Sequence, residues 1–177
     1  MIISVAKAKA LINFPDSWKD EKIEMKLKAV EQTIRAYTNN NFQDRECRRT
    51  ADIVGGLFTV EALTPFDVDD TVQISESRLN KGLFTVASAD DSTFTVTEPV
   101  KDENDVLITK IVYPDDVIAC CVNLMEWEVN NRGKVGIKSE TLSRHSVTYF
   151  DQDASNQVMG YPAALLGCLK PYRKARC

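Results

Sequence analysis

The sequence has no long hydrophobic run, and none of its apolar stretches approaches the roughly 20 residues of a membrane-spanning helix. Residues 1–12 also lack the basic-then-apolar order of a signal peptide, because Lys7 and Lys9 interrupt the apolar residues. These two absences predict a protein that has no membrane partner and stays where it is made.

Cysteine is present, but not in the patterns that cross-link small domains or bind zinc. The five cysteines are an odd number, and none has a CxxC or Cys/His spacing. Cys120 and Cys121 are adjacent on a predicted helix, where neighbouring side chains point in different directions. We therefore expect reduced, mostly buried thiols, as in a cytoplasmic protein.

Catalytic signatures are also missing. The single histidine, His145, stands beside serines, but no GxSxG nucleophile elbow accompanies it. Cys168 and Cys177 have no nucleophile motif around them. An enzyme using His145 or a cysteine is thus the least favoured hypothesis, and we expect no catalytic site.

Metal and cofactor signatures do not occur either. The acidic clusters lie at predicted strand or helix ends, where aspartate is favoured for turns and caps, and none has a DxDxDG spacing. They are Asp67/Asp69/Asp70, Asp90/Asp91 and Asp115/Asp116. The seven glycines are scattered and form no phosphate-binding loop. We expect neither a metal nor a cofactor.

Charge is distributed unevenly along the chain. Residues 61–116 carry thirteen acidic and four basic side chains, whereas residues 132–177 carry eight basic and three acidic ones. An acidic middle argues against wrapping DNA over the whole surface, because phosphate binding needs clustered Lys and Arg. Self-association through complementary charges is favoured instead.

Apolar periodicity predicts three helices, each with one face for a core. They span residues ~21–38, ~114–130 and ~162–170. In the first helix, Ile23, Leu27 and Val30 recur at three- and four-residue steps. Pro114 opens the second helix, and Pro171 is expected to end the third.

The period changes to that of strands between the first two helices. The strand-like runs are 57–60, 72–74, 83–86, 93–96 and 106–112, with turn residues between them. They predict a small antiparallel β-barrel or sandwich, inserted as residues 49–112. Residues 1–48 and 113–177 would form a helical domain, so that helices from both chain ends share a core and the fold class is α+β.

Residues 137–149 form a polar tract without an ordinary core role. Only its end alternates as a strand does; the rest is Ser, Thr and charge. Such a tract favours an inter-subunit arm, a segment that a neighbouring subunit orders. Its candidate contact residues are Ile137, Lys138, Glu140, Leu142, Arg144, His145 and Tyr149.

The basic C-terminal tail is the second candidate binding segment. It follows a short apolar helix and Pro171, which position it better than a flexible linker would. A solvated, frayed terminus is the alternative. The candidate docking residues are Leu169, Tyr172, Arg173, Lys174 and Arg176.

Four stretches together resemble the head–tail connector (adaptor) proteins of long-tailed bacteriophages and related prophages. They are Ile34-Arg-Ala-Tyr-Thr-Asn-Asn-Asn-Phe42, the helix from Pro114, the tract 137–149, and Tyr161-Pro-Ala-Ala-Leu-Leu-Gly-Cys-Leu-Lys-Pro-Tyr-Arg173. The resemblance covers roughly residues 1–47 and 113–177, and the β module departs from the smallest, all-helical members.

This resemblance implies a structural virion protein without enzymatic activity, made in the bacterial host cytoplasm. It would form a ring, typically a dodecamer, at the head–tail interface between the portal and the tail-completion (stopper) protein. The tail would dock to the portal, and genome DNA would pass through without sequence-specific binding. A different class stays open: a generic binding module whose β insert recognises a protein or ligand.

Overall fold

The computed structural model describes residues 1–61, 63–134, 139–142, 145–148 and 156–175. The α-helices are α1 (Val5–Leu11), α2 (Asp20–Thr38) and α3 (Asp115–Asn130). Stretches of 3-10 helix span Arg132–Lys134 and Ala163–Tyr172. The strands are β1 (Gln43–Val54), β2 (Leu57–Val60), β3 (Thr71–Ser75), β4 (Gly82–Ala89), β5 (Thr93–Val96), β6 (Glu103–Ile111), β7 (Ser139–Leu142), β8 (His145–Thr148), β9 (Gln157–Val158) and β10 (Tyr161–Pro162).

The chain folds as two compact units. The barrel unit comprises Asn41–Tyr113 together with Met1, and the helical unit comprises Ile2–Asn40 and Pro114–Cys177. The α-helices and the six strands of the barrel thus lie in separate units, and the short strands β7 to β10 belong to the helical unit; this confirms the α+β class. Among the described residues, no helix combines the length and apolar character needed to cross a membrane.

Six antiparallel strands close the barrel in the order β1-β2-β5-β4-β3-β6, which confirms the predicted barrel. Its interior is aromatic: the rings of Phe58 and Phe94 stack with their centroids 4.5 Å apart, and Phe66 meets Phe94 edge-on at 5.1 Å. All three side chains are buried. Stacked and edge-on ring pairs contribute stability beyond that of ordinary apolar burial. We therefore regard these three rings as the centre of the barrel core.

Strand β1 begins at Gln43, upstream of the predicted module boundary at residue 49, and the prediction missed this strand. The first half of this strand is rich in charged residues, and its apolar and polar residues do not alternate. The two-residue period of a strand is therefore not visible there. Pairing with β6, from Gln43 opposite Ile111 to Ile53 opposite Glu103, holds it in the barrel. The register shifts between Asp44 and Arg48, and this irregularity further obscures the pattern.

Periodicity predicted the two long helices correctly. In α2, the residues at three- and four-residue steps are buried, namely Ile23, Leu27, Val30 and Ile34. The helix ends where Asn39 takes a left-handed φ of 48°, a conformation that asparagine tolerates. In α3, Val117, Cys121 and Leu124 are fully buried.

The third predicted helix forms as a 3-10 helix that continues through Pro171 to Tyr172. The expectation that Pro171 ends it was wrong. Proline lacks a backbone donor, but its fixed φ suits a helical turn, and a 3-10 segment tolerates the missing bond near its end. Leu166 and Leu169 on this segment are fully buried.

We predict that Phe94→Ala lowers the free energy of opening of the barrel unit by about 3–5 kcal/mol, because it removes a ring that contacts both Phe58 and Phe66 and leaves a cavity. Hydrogen exchange of the β2 and β5 amides measures this directly. Leu57→Ala is the matched control, since Leu57 neighbours Phe58 but is 42% exposed. Equal effects of the two substitutions would contradict an aromatic centre.

Candidate functional site

A buried carboxylate joins the elements of the helical unit. Glu128, in the last turn of α3, is 4% exposed. Its Oε2 accepts a 2.8 Å hydrogen bond from Nζ of Lys26 on α2. Its Oε1 accepts from the Tyr161 hydroxyl at 2.8 Å and from Arg132 Nε at 2.9 Å, and Arg132 Nη2 also donates to it. We refer to these four residues as the Glu128 cluster.

Arg132 links this carboxylate to the chain beyond residues 133–159. Its Nη1 donates to the carbonyl oxygen of Gly160 at 3.0 Å. Its guanidinium lies 4.6 Å from the ring centroid of Trp127 and 5.0 Å from that of Tyr161, in cation–π geometry. Residues 132 and 160–161 are thereby held together. These residues lie on either side of the segment that includes the predicted arm.

The electrostatics of the Glu128 cluster favour the ionised carboxylate. Burial by itself raises the pKa of Glu128, but hydrogen bonds from Arg132, Lys26 and Tyr161 outweigh it and lower the pKa to about 2. Burial and the bond to Glu128 raise the pKa of the Tyr161 hydroxyl above its ordinary value. Glu128 is therefore charged and Tyr161 protonated throughout the physiological range.

The predicted arm contains a β-hairpin. β7 and β8 pair antiparallel, with Glu140 opposite Val147 and Leu142 opposite His145. The pattern of the sequence predicts strand character only at the end of the tract, and β7 was not predicted. Glu140, Leu142 and His145 lie on this hairpin. Ile137, Lys138, Arg144 and Tyr149 lie outside the described residues.

The predicted docking tail is attached to two elements of the helical unit. The Tyr172 hydroxyl lies 2.6 and 2.7 Å from the two carboxylate oxygens of Asp116, at the start of α3. This hydrogen bond raises the pKa of Tyr172. Lys174 N donates to the carbonyl oxygen of Thr38 at 2.7 Å. Since Thr38 is the last residue of α2, the tail is fixed between the end of one helix and the start of another.

Asparagine side chains after α2 reinforce this attachment. Asn39 Nδ2 donates to the carbonyl oxygen of Ala175 at 2.8 Å, and Asn40 Nδ2 donates to that of Tyr172 at 3.2 Å. Arg173 lies over the Tyr37 ring, 5.2 Å from its centroid. Residues 172–175 are thus hydrogen-bonded to the residues that end α2.

The other predicted tail residues differ in position. Arg173 and Lys174 are exposed and can meet a partner. Leu169 is fully buried, so it anchors the segment from inside the helical unit. Arg176 lies outside the described residues.

The acidic clusters of the barrel unit make internal bonds. Asp70 Oδ2 accepts from the backbone N of Asp67 at 2.7 Å and pairs with Lys110 Nζ at 2.5 Å. Within the described part of the chain, no group of three or more Cys, His, Asp or Glu is placed to hold a metal ion. A surface cleft of about 590 Å³ lies beside these loops, lined by Leu63, Thr64, Phe66, Asp67, Val68, Ala89, Asp90, Asp91 and Ser92.

Sequence reasoning did not identify the Glu128 cluster. The available signal was the pair Glu128 and Arg132, four residues apart at the end of α3, a spacing that brings opposite charges together. Such pairs are common on exposed helix faces, so the spacing alone does not reveal burial. The contributions of Lys26 and Tyr161 come from distant parts of the chain, and the sequence gives no sign of them.

The chain matches no protein-family model and no curated protein. Two features of the helical unit are candidates for a functional role. One is the Glu128 cluster at the base of the segment 133–159, and the other is the tail fixed at α2 and α3.

We predict that Glu128→Gln lowers the unfolding free energy of the helical unit by about 2–3 kcal/mol at pH 7, because it leaves Lys26 and Arg132 without their counter-charge. Since folding depresses the pKa of Glu128 from 4.5 to about 2, its stabilisation is complete above the unfolded pKa and is lost as pH falls towards 2. The difference between wild type and variant should shrink over that window.

Tryptophan fluorescence during denaturant unfolding measures this effect, because both tryptophans, Trp18 and Trp127, belong to the helical unit. Glu126→Gln is the matched control: it removes the same charge two residues earlier, at an exposed position of α3. A pH-independent difference, or an equal effect of the control, would contradict the electrostatic role of Glu128.

Proposed function

We propose that this chain is a structural virion protein, a head–tail connector that forms a ring between the portal and the tail-completion protein of a long-tailed phage. In this proposal helices from both chain ends form the subunit core, residues 137–149 are the inter-subunit arm, and the C-terminal tail docks to the portal. The resemblance of residues 1–47 and 113–177 to such proteins supports it. The observation that carries it is the Glu128 cluster at the base of the arm.

An arm that crosses to a neighbour needs a fixed base. Binding a neighbour costs the entropy of ordering the arm, and this cost is smaller when both ends are already held. The Arg132 bonds to Glu128 and to the Gly160 carbonyl hold together residues 132 and 160, which lie on either side of the arm. A closed ring can form if the arm of each subunit binds a surface of the next subunit that is different from the arm itself. Such a contact between unlike surfaces is heterologous.

The fixed tail suits the docking role for the same reason. Bonds from Lys174 and Asn39 hold its backbone, while the exposed side chains of Arg173 and Lys174 carry positive charge. A preorganised pair of cations binds an acidic surface without first ordering the chain. We therefore propose that the portal presents acidic residues to this segment.

A connector must also let the genome slide through its channel. The formal net charge of −4 does not favour tight binding of phosphates, which requires clustered cations. The proposed partners are thus other copies of the chain, the portal and the tail-completion protein, and the genome passes without sequence-specific contacts.

We predict that Arg173→Glu/Lys174→Glu weakens binding to the portal of the same phage about tenfold or more, because reversing two cations turns attraction into repulsion. Surface plasmon resonance with immobilised portal measures the affinity. The control Lys7→Glu/Lys19→Glu makes the same charge change at exposed positions elsewhere on the helical unit. Unchanged affinity of the tail variant, or an equal loss in the control, would refute tail docking.

We predict that replacing residues 137–149 by a Gly/Ser linker of equal length leaves the helical unit folded but prevents ring assembly, because the arm contacts are lost. Tryptophan fluorescence checks the fold, and mass photometry with the portal present counts the assembled subunits. Replacing residues 151–155 in the same way is the control and should leave assembly intact. Normal rings from the first variant would exclude the arm assignment.

A further inference from the structure

Two cysteine thiols of the helical unit converge on one backbone acceptor. Cys120 Sγ on α3 donates to the carbonyl oxygen of Leu165 at 3.4 Å, and Cys168 Sγ on the C-terminal 3-10 helix donates to the same oxygen at 3.5 Å. Both sulfur atoms therefore lie in one small volume between α3 and the 3-10 helix. Burial and a hydrogen bond with the Cys168 thiol raise the pKa of Cys120, as expected of adjacent thiols.

The two thiols differ in access. Cys168 is exposed, whereas Cys120 is 1% exposed. A solute can therefore reach Cys168 directly, while Cys120 can react with a partner that Cys168 has already captured. An exposed thiol beside a second thiol that can resolve a mixed disulfide is an arrangement that favours formation of an internal disulfide.

We propose that Cys120 and Cys168 form a site of reversible disulfide modification, which closes by exchange with a small disulfide such as glutathione disulfide. The Cys168 thiolate attacks one glutathione sulfur, forming a mixed disulfide and releasing the first glutathione thiolate. Cys120 then attacks the Cys168 sulfur while its proton passes to the leaving sulfur, so that the second glutathione is released as the thiol. In sum, two protein thiols are oxidised to one disulfide and glutathione disulfide is reduced to two glutathiones.

The disulfide would link α3 to the 3-10 helix that ends at Tyr172. That helix already contacts α3 through the Tyr172 hydroxyl and Asp116, so the new bond strengthens an existing attachment. Closing the loop between residues 120 and 168 removes entropy from the unfolded chain and stabilises the fold. This inference concerns the helical unit alone and holds whether or not the protein is a connector.

The other described cysteines lack this arrangement. Cys121 is fully buried, and burial raises the pKa of its thiol to about 12; unlike Cys120, it makes no hydrogen bond with an exposed thiol of the described residues. Cys47 belongs to the barrel unit, where its thiol contacts Asp44. Burial, followed by this contact, raises the pKa of Cys47.

The test is incubation of the reduced full-length protein with glutathione disulfide, followed by intact mass measurement and non-reducing peptide mapping. We expect loss of two hydrogen atoms, a peptide pair joined through Cys120 and Cys168, and reversal by dithiothreitol. The melting temperature of the oxidised protein should rise by about 5 °C or more. Using the Cys47→Ser/Cys177→Ser background removes thiols that could exchange elsewhere.

Two variants separate the steps. The Cys120→Ala protein should retain one stable glutathione on Cys168. Cys168→Ser is a surface change that leaves the core intact. This second variant should form no disulfide and show no rise in melting temperature. A parent protein that keeps glutathione on Cys168 with Cys120 reduced would overturn the proposal. So would a parent that gains no modification at either thiol.

Discussion

An ionised carboxylate removed from water costs several kilocalories per mole unless protein donors replace the lost hydration. Glu128 meets that requirement with the ammonium of Lys26, two nitrogens of Arg132 and the hydroxyl of Tyr161. These donors come from α2, from the turn after α3 and from the chain beyond residue 159. The need to satisfy one charge therefore fixes three parts of the helical unit at once, and substituting any donor leaves a buried charge underpaired.

This constraint gives the proposed function a physical basis. The segment 133–159 contains the predicted arm. Arg132 and Gly160, on either side of this segment, are joined by a hydrogen bond, and the φ of 79° at residue 160 suits glycine. At the other end of α3, Asp116 receives the Tyr172 hydroxyl and fixes the tail. The two candidate binding segments are thus both attached to α3, one at each end of the helix.

Local pattern predicted the elements whose apolar residues recur at a regular spacing. The spacing of Ile23, Leu27 and Ile34 located α2, and short alternating runs located five of the six barrel strands. Strand β1 escaped because cross-strand pairing with β6 holds a charged segment that has no pattern of its own. The Glu128 cluster escaped for a similar reason: its donors are far apart in the chain, and burial of a charge is a property of the folded unit.

The connector proposal holds that residues 137–149 are an arm that a neighbouring subunit orders, and that α2 and α3 belong to a core formed before assembly. Hydrogen exchange of the free protein and of its assembly with the portal distinguishes these two behaviours. We predict strong protection of the 137–149 amides on assembly and little change in α2 and α3. Equal exchange of that segment in both states, or failure of the protein to assemble with the portal at all, would contradict the account.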